Sequence, residues 1–494
     1  MVRRVVLARR TDLLVALAAA VPLAIFVLGE RRIAGASGLP LDDSWIHLHF
    51  ARNLAEGAGF VYNPGVPVAG STAPLWTLLL AAAFVVFGAS VAVAKLVGVA
   101  TTVAAALVTR QAALAWGATP GVAVGAAVGL VWTGALAWGA LSGMEVSLAA
   151  MLVAAALWAH ARDHLGGTAL LAALAALARP EALILVPLLA LGRPLGLRRA
   201  LVFVLIPSVV LAPAVAFSLS TVGAPVPATA VAKVEGGLVG WLAGVRDPLP
   251  RLLLQRPSEF FGEWVVWLAR THWLLPLLLA PGLILAGIRR GRPLGLPALA
   301  LVAHPLAMAL LAPYRGPGFQ EGRYSMHLLP LALVVLAVAV SPVRVGWRHA
   351  IVGAYLAVAL VSLLPAAERY GWAVQNINAM QVHLGHWVDA HVPARARLAL
   401  NDVGAIAYIS RREVIDLMGL VTPEIIPYRR QGEAGVIRYV MHTCPDYLIV
   451  FPAWFPELTA RRSLVEPVYR VRLARREVAG SSEMVVYRLV RCGV

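Results

Sequence analysis

The chain has 494 residues, of which 60% are hydrophobic and only 14% charged, with a mean hydropathy of +0.78. Such a composition excludes an ordinary soluble enzyme and marks a polytopic membrane protein. The formal charge of +17 does not point to nucleic acid, because the arginines cluster between apolar segments: Arg3, Arg4, Arg9 and Arg10; Arg193, Arg198 and Arg199; Arg289, Arg290 and Arg292; Arg344 and Arg348. That is the positive-inside pattern, which orients helices and says little about partners.

The first apolar run centres near Ala20 and lacks a small-residue cleavage site, so it reads as an anchor and not a cleaved leader. The next segment, 30–73, is the most unusual in the chain. Asp42-Asp43-Ser44-Trp45 opens an amphipathic run to Leu54, followed by the turn-rich Glu56-Gly57-Ala58-Gly59, Asn63-Pro64-Gly65 and Gly70-Ser71-Thr72. Two adjacent carboxylates beside hydrocarbon are expensive unless they stay hydrated, bind a cation or do chemistry. Further apolar runs centre near Val103, Val128, Leu152, Val209, Leu279, Leu301, Val335 and Tyr355, with a shorter one after Pro74. The run 170–191 is interrupted at Arg179-Pro180-Glu181, where proline favours a break into two half-helices. Together these predict about 11 to 13 helices of spanning length.

The basic clusters put the N-terminus and the loops around Arg193–Arg199, Arg289–Arg292 and Arg344–Arg348 in the cytoplasm. Segments 30–73, 222–271 and 313–323 then face the other side, as does the chain after Leu364. From residue 366 the apolar runs shorten, charges rise, and strand-like pieces appear at 396–400, 413–417, 447–451 and 484–489, with a helical pattern at 435–442. This predicts a transmembrane part, 1–365, followed by a small soluble α/β domain, 366–494. Asn401-Asp402-Val403-Gly404-Ala405 reads as strand end, turn and helix start, and Asp416-Leu417-Met418-Gly419-Leu420 repeats the pattern. No G-x-G-x-x-G follows a strand, which excludes a Rossmann site. Cys444 and Cys492, the only cysteines, both fall in this part, where an oxidising compartment would allow them to pair.

These motifs, with Ala51-Arg52-Asn53-Leu54, Ser142-Gly143-Met144-Glu145, Gly223-Ala224-Pro225-Val226-Pro227, Ala232-Lys233 and Gly322-Arg323-Tyr324, resemble GT-C integral membrane glycosyltransferases over nearly the whole chain. Among these, they resemble the group related to the actinobacterial arabinofuranosyltransferases that act on cell-wall polysaccharide. The resemblance implies a GT-C-like helical bundle, a polyprenyl-phosphate sugar donor, and inverting transfer to an extracytoplasmic glycan, lipid or protein acceptor. One departure touches substrate choice: Pro227-Ala228-Thr229 stands where the group has Pro-Asn-Thr.

The residues support that chemistry on their own terms. Sugar transfer to a hydroxyl needs a base for the acceptor proton and a cation for the departing phosphate. Asp43, or Asp42, is the candidate base. The simpler reading is an N-cap for the following helix, and divalent-cation binding is a further alternative that the sequence does not require. Lys233 and Arg323 are candidate phosphate ligands, the first by its rarity beside Lys95, the second by standing on the outer side against the positive-inside trend. Arg52, His47, Tyr324 and the group Glu145, Arg179 and Glu181 complete the candidate site. The last three read equally as a buried ionic network, and His47, like His49, as an ordinary half-exposed loop histidine. No cofactor is required. The rival readings are a transporter or lipid flippase, and a catalytically silent glycan-binding scaffold.

Overall fold

The computed structural model describes residues 2–234, 236–242, 244–245 and 247–490, with 2–9 as backbone only. Cys492 and the side chains of Arg3, Arg4 and Arg9 lie outside the described residues. Among the described residues, six helices are long and apolar enough to cross a membrane: Arg10–Ala34, Val91–Ala115, Leu197–Val222, Arg292–Leu311, Phe319–Val340 and Val345–His391. Two bent pairs, Pro120–Val131 with Gly134–Leu141 and Arg251–Thr271 with Leu275–Arg290, bring the number to eight. The protein is a multi-pass membrane protein. The expected 11 to 13 spans also counted the shorter apolar helices Pro74–Phe87, Val146–Ala161, Leu165–Ala178 and Pro180–Leu191, which length alone does not qualify.

The chain forms two compact units. The first comprises Met1–Leu28, Lys95–Pro213 and Val234–Glu368. Its helices Val146–Ala161 and Leu165–Ala178 pack through buried alanines, among them Ala149, Ala150, Ala172 and Ala176. Small side chains let apolar helices approach closely where no hydrophobic effect draws them together. The Leu165–Ala178 helix ends at Arg179, whose backbone is extended, and a 3-10 turn from Pro180 to Ile184 follows. The break falls where Pro180 predicts it.

The second unit comprises Gly29–Ala94, Ala214–Lys233 and Arg369–Val494. Its centre is a five-stranded sheet of β1 (Arg397–Leu400), β2 (Glu413–Asp416), β3 (Tyr447–Val450), β4 (Val465–Arg472) and β5 (Glu483–Leu489), ordered β2-β1-β3-β5-β4. The first three are parallel; β5 runs antiparallel to β3, and β4 to β5. Alternation decides the two faces. Leu398, Leu400, Val414, Ile449 and Val486 pack with Leu384, Val388, Ile406 and also Ile46 and Phe50 of the Asp42–Ala55 helix. Ala399, Ile415, Leu448, Val450 and Val485 pack with Val436, Ile437 and Val440 of the Glu433–Thr443 helix.

Strand β4 has no counterpart in the sequence reading. It is an edge strand, mostly exposed, with Pro467 beside a register shift before Tyr469. Charges and a proline are tolerated there because one side of the strand faces solvent. At the opposite edge, the Asn63 side chain bonds both ways with the Val414 backbone, at 2.8 and 2.9 Å, and continues the ladder of β2. The first loop is thus built onto the sheet. Cys444 is disulfide-bonded.

Candidate active site

The Asp42–Ala55 helix begins at the two aspartates, with Leu41 as its N-cap residue. Both carboxylates therefore stand in its first turn, where the helix dipole favours negative charge. Their surroundings then differ. Asp42 accepts hydrogen bonds from the backbone N–H of Gly404 at 2.6 Å and of Ala405 at 2.8 Å, at the start of the Ala405–Ser410 helix. It caps a helix, but not its own. A Cβ on Gly404 would fall on the Asp42 carbonyl oxygen and 2.8 Å from the carboxylate, so only glycine permits this approach. Burial lifts the Asp42 carboxyl well above the usual range, helped by the charges of Asp402 and Asp43 and opposed by the two N–H donors.

Asp43 keeps its side chain 31% exposed, and Lys233 Nζ lies 3.9 Å from its Oδ2. Two residues singled out from segments 190 positions apart thus meet. Asp402 lies on the turn whose next residues grip Asp42, and there Gln381 donates to its Oδ2 at 2.7 Å and Asn401 to its Oδ1 at 3.0 Å. Burial pushes Asp402 up to about 6, with the Asp43 charge adding to the rise and the two amides opposing it.

The motifs around Gly70, Ala228-Thr229 and Asp416 lie in the same unit. Ala228 N–H donates to the Ala69 carbonyl at 2.8 Å. The Thr229 hydroxyl donates to the Gly70 carbonyl and, at 3.3 Å, to that of Leu420. Asp416 is buried and accepts from the N–H groups of Met418, Leu420 and Val421, folding Asp416–Val421 around Gly419, whose φ of +80° suits glycine. Burial outweighs those donors and brings Asp416 to about 6.

Arg52 is buried, donates to the Tyr408 carbonyl at 2.6 Å and lies over the Tyr408 ring at 4.3 Å. His47 Nδ1 lies 3.3 Å from Ser71 Oγ and 3.5 Å from Thr77 Oγ1. His49 Nε2 bonds the Tyr62 carbonyl at 2.9 Å; burial and the neighbouring Arg52 lower its pKa to about 3, so it is neutral. These side chains shape the loop. The half-exposed histidines of the sequence reading are buried.

A second polar cluster lies in the first unit. Arg179 is bonded to Glu145 and, through Nε at 2.9 Å, to Glu181. Its guanidinium covers Tyr324 at 4.5 Å, and that of Arg323 lies 5.1 Å from the same ring, with Nη2 donating to the Tyr324 hydroxyl at 3.2 Å. Gln320, Glu321 and Gly322 all have positive φ, and the Trp267 indole donates to the Glu321 carbonyl at 2.8 Å. This strained turn fixes Arg323 just ahead of the Leu329–Val340 helix. His304 bonds Ser325 at 3.0 Å and meets the buried His327 edge-on.

The solved structures place this architecture. ArnT from Cupriavidus metallidurans, bound to undecaprenyl phosphate, is similar at a TM-score of 0.59 and 13% identity, over 95% of this chain and 97% of that one. The archaeal oligosaccharyltransferase AglB from Archaeoglobus fulgidus, in complex with an inhibitory peptide and a dolichol-phosphate, has a TM-score of 0.59 and 13% identity, over 93% of this chain and 73% of that one. The chain has the GT-C fold. Arabinofuranosyltransferase AftD from Mycobacteria matches 96% of this chain and 41% of that one at 16% identity, but its TM-score of 0.43 is too low to bear on the argument. Residues 374–487 match the family described as a domain of unknown function, DUF8728. No curated protein matches.

Within this fold, Asp42, Asp43 and Lys233 come together in one unit, and Glu145, Arg179, Glu181, Arg323 and Tyr324 in the other. Sequence reasoning cited Asp402 and Asp416 only as fold markers; their acidic character beside turn glycines was the available signal. Gln381, His304, Ser325 and His327 carried no motif. Among the described residues, no group of three or more His, Cys, Asp or Glu side chains is arranged to hold a metal ion.

Proposed function

We propose that this chain is an inverting glycosyltransferase that moves a sugar from a polyprenyl-phosphate donor to an extracytoplasmic glycan, lipid or protein acceptor, with Asp43 as general base. The observation carrying this reading is the division of labour between the aspartates. Both oxygens of Asp42 are engaged by backbone N–H groups, whereas Asp43 is part-exposed with an ammonium 3.9 Å away. A base must be reachable by the acceptor hydroxyl. Asp43 is; Asp42 serves as the strut.

In the reaction, Asp43 takes the hydroxyl proton as the acceptor oxygen bonds to the anomeric carbon, and the phosphate departs from the opposite face with the electron pair. One displacement inverts the centre. Lys233 stands ready to stabilise negative charge on the phosphate once Asp43 is protonated. Arg323, with Tyr324 and the Arg179 group, is the second candidate for donor phosphate. A lipid donor is supported by the fold's occurrence in proteins solved with undecaprenyl phosphate and dolichol-phosphate. An extracytoplasmic site is supported by the basic loops and by the disulfide at Cys444.

The test is incubation of the purified chain with labelled polyprenyl-phosphate sugars, following release of polyprenyl phosphate, with and without a chelator to probe the divalent-cation alternative. Movement of intact lipid across vesicles without release would mean a flippase instead. Fusing a reporter active only in an oxidising compartment after Val494 tests the sidedness; activity confined to the cytoplasm would reverse it.

A further inference from the structure

Asp402 is a carboxylate near Asp42 and Asp43 with no part in the transfer step described above. Its placement is highly determined. Asn401, which donates to Oδ1, is itself fixed because its side-chain Oδ1 accepts the Phe451 N–H at 2.9 Å just beyond β3. Gln381, fully buried, holds Oδ2. Two residues further on, the N–H groups of Gly404 and Ala405 grip Asp42. The Tyr62 hydroxyl donates to the intervening Val403 carbonyl, tying the turn to the first loop once more. Asp42 and the turn that carries Asp402 are therefore held to one another, with Asp43 next in sequence to Asp42.

We propose that Asp402 is a positioning residue for the base: its carboxylate, locked on the turn that grips Asp42, sets how readily Asp43 takes the acceptor proton. This rests on the reading of Asp43 as the base. The charged and titratable groups around the pair include Asp42 on the same loop, Lys233 at the end of Ala214–Lys233 and Asp416 at the end of β2, with Tyr62 beside Asp42. Lys233 alone would favour the ionised form of Asp43 and weaken it as a base. An ionised Asp402 opposes that by like-charge repulsion, which favours the protonated form. In the transfer step the acceptor proton goes to Asp43, the new C–O bond forms, and the C–O bond to phosphate breaks; Asp402 exchanges no proton. The soluble part thereby enters the chemistry through one charge.

The experiment is the pH profile of kcat/KM for release of polyprenyl phosphate by the full chain, in wild type, Asp402→Asn, Asp402→Glu and Gln381→Leu. Removing the negative charge lowers the affinity of Asp43 for a proton. Asp402→Asn should therefore move the acidic limb about one unit to lower pH and cut kcat about tenfold, with KM for both substrates within about two-fold of wild type. Asp402→Glu should restore most of the limb. Gln381→Leu removes a donor that favours ionised Asp402, so it should shift the limb in the same direction by less, and it serves if Asp402→Asn does not fold. An unshifted limb in Asp402→Asn and Gln381→Leu, or a loss of activity carried wholly by KM, overturns the proposal. Asp43→Asn run in parallel separates the two failures: if it retains wild-type rate, the reading of the base is wrong; if it is inactive while the limbs stay put, only the role of Asp402 falls.

Discussion

The two units bury their charge in opposite ways. In the first, Arg179 meets Glu145 and Glu181, with Arg323 on the same Tyr324 ring, so two arginines and two glutamates share one cluster. In the second, Asp42, Asp43 and Asp402 face one another with a single lysine near Asp43, and burial and mutual repulsion lift Asp42 and Asp402 above the ordinary carboxylate range. Opposite charges in a dry interior fix helices in register but contribute little reactivity. An excess of one sign is costly to keep and is the usual mark of a group held for proton transfer. We propose the first cluster as scaffold with a candidate phosphate ligand, Arg323, at its edge, and the second as the reactive centre.

The contrast can be broken most severely at Glu145. Removing one member of a buried pair leaves the other uncompensated, so Glu145→Ala should destabilise the protein by about 3–5 kcal/mol. Combining it with Arg179→Met should recover part of that loss, as a double-mutant cycle of thermal unfolding would reveal. Unchanged stability with lost activity would make this cluster a site and not a scaffold. Next in size is Asp42→Asn. An amide oxygen accepts one of the two N–H groups but its nitrogen cannot accept the other, so unfolding should become easier by about 1–3 kcal/mol. Turnover of the folded protein should fall far less than in Asp43→Asn.

The comparison also explains what the sequence could tell. Hydropathy and arginine clusters announced a membrane protein, and β1, β2, β3 and β5 lie within a residue or two of the apolar alternations that predicted them. The Asp42-Asp43 pair stood out because carboxylates are rare beside hydrocarbon. What stayed hidden depends on long-range partners. Nothing local says that Asn63 will extend β2 or that Asp42 will cap residues 404 and 405, more than 350 positions away. Asp402 looked like a turn residue because its neighbours in sequence, not in space, were all that could be read. Strand β4 was lost to its own exposure, and the apolar runs did not reveal which of their helices, such as Pro74–Phe87 and Leu165–Ala178, fall short of the usual spanning length.

Smaller effects sharpen the second unit. Lys233→Ala should lower kcat about tenfold with little change in KM for the acceptor, if its ammonium serves the leaving phosphate; steady-state kinetics at saturating acceptor checks this. A pure rise in acceptor KM would move Lys233 from the phosphate to the acceptor. Least of all, Thr229→Val removes one hydroxyl bonded to the Gly70 and Leu420 carbonyls. It should destabilise by about 0.5–1.5 kcal/mol and leave the turnover of folded protein near wild type.

The most direct measurement is the release of polyprenyl phosphate by Asp43→Asn at matched donor occupancy. The substitution keeps the shape and removes the basic oxygen. Turnover should fall about 10²-fold or more while donor binding survives. Wild-type turnover in Asp43→Asn would contradict the assignment of the base, and with it the division of roles between the two aspartates.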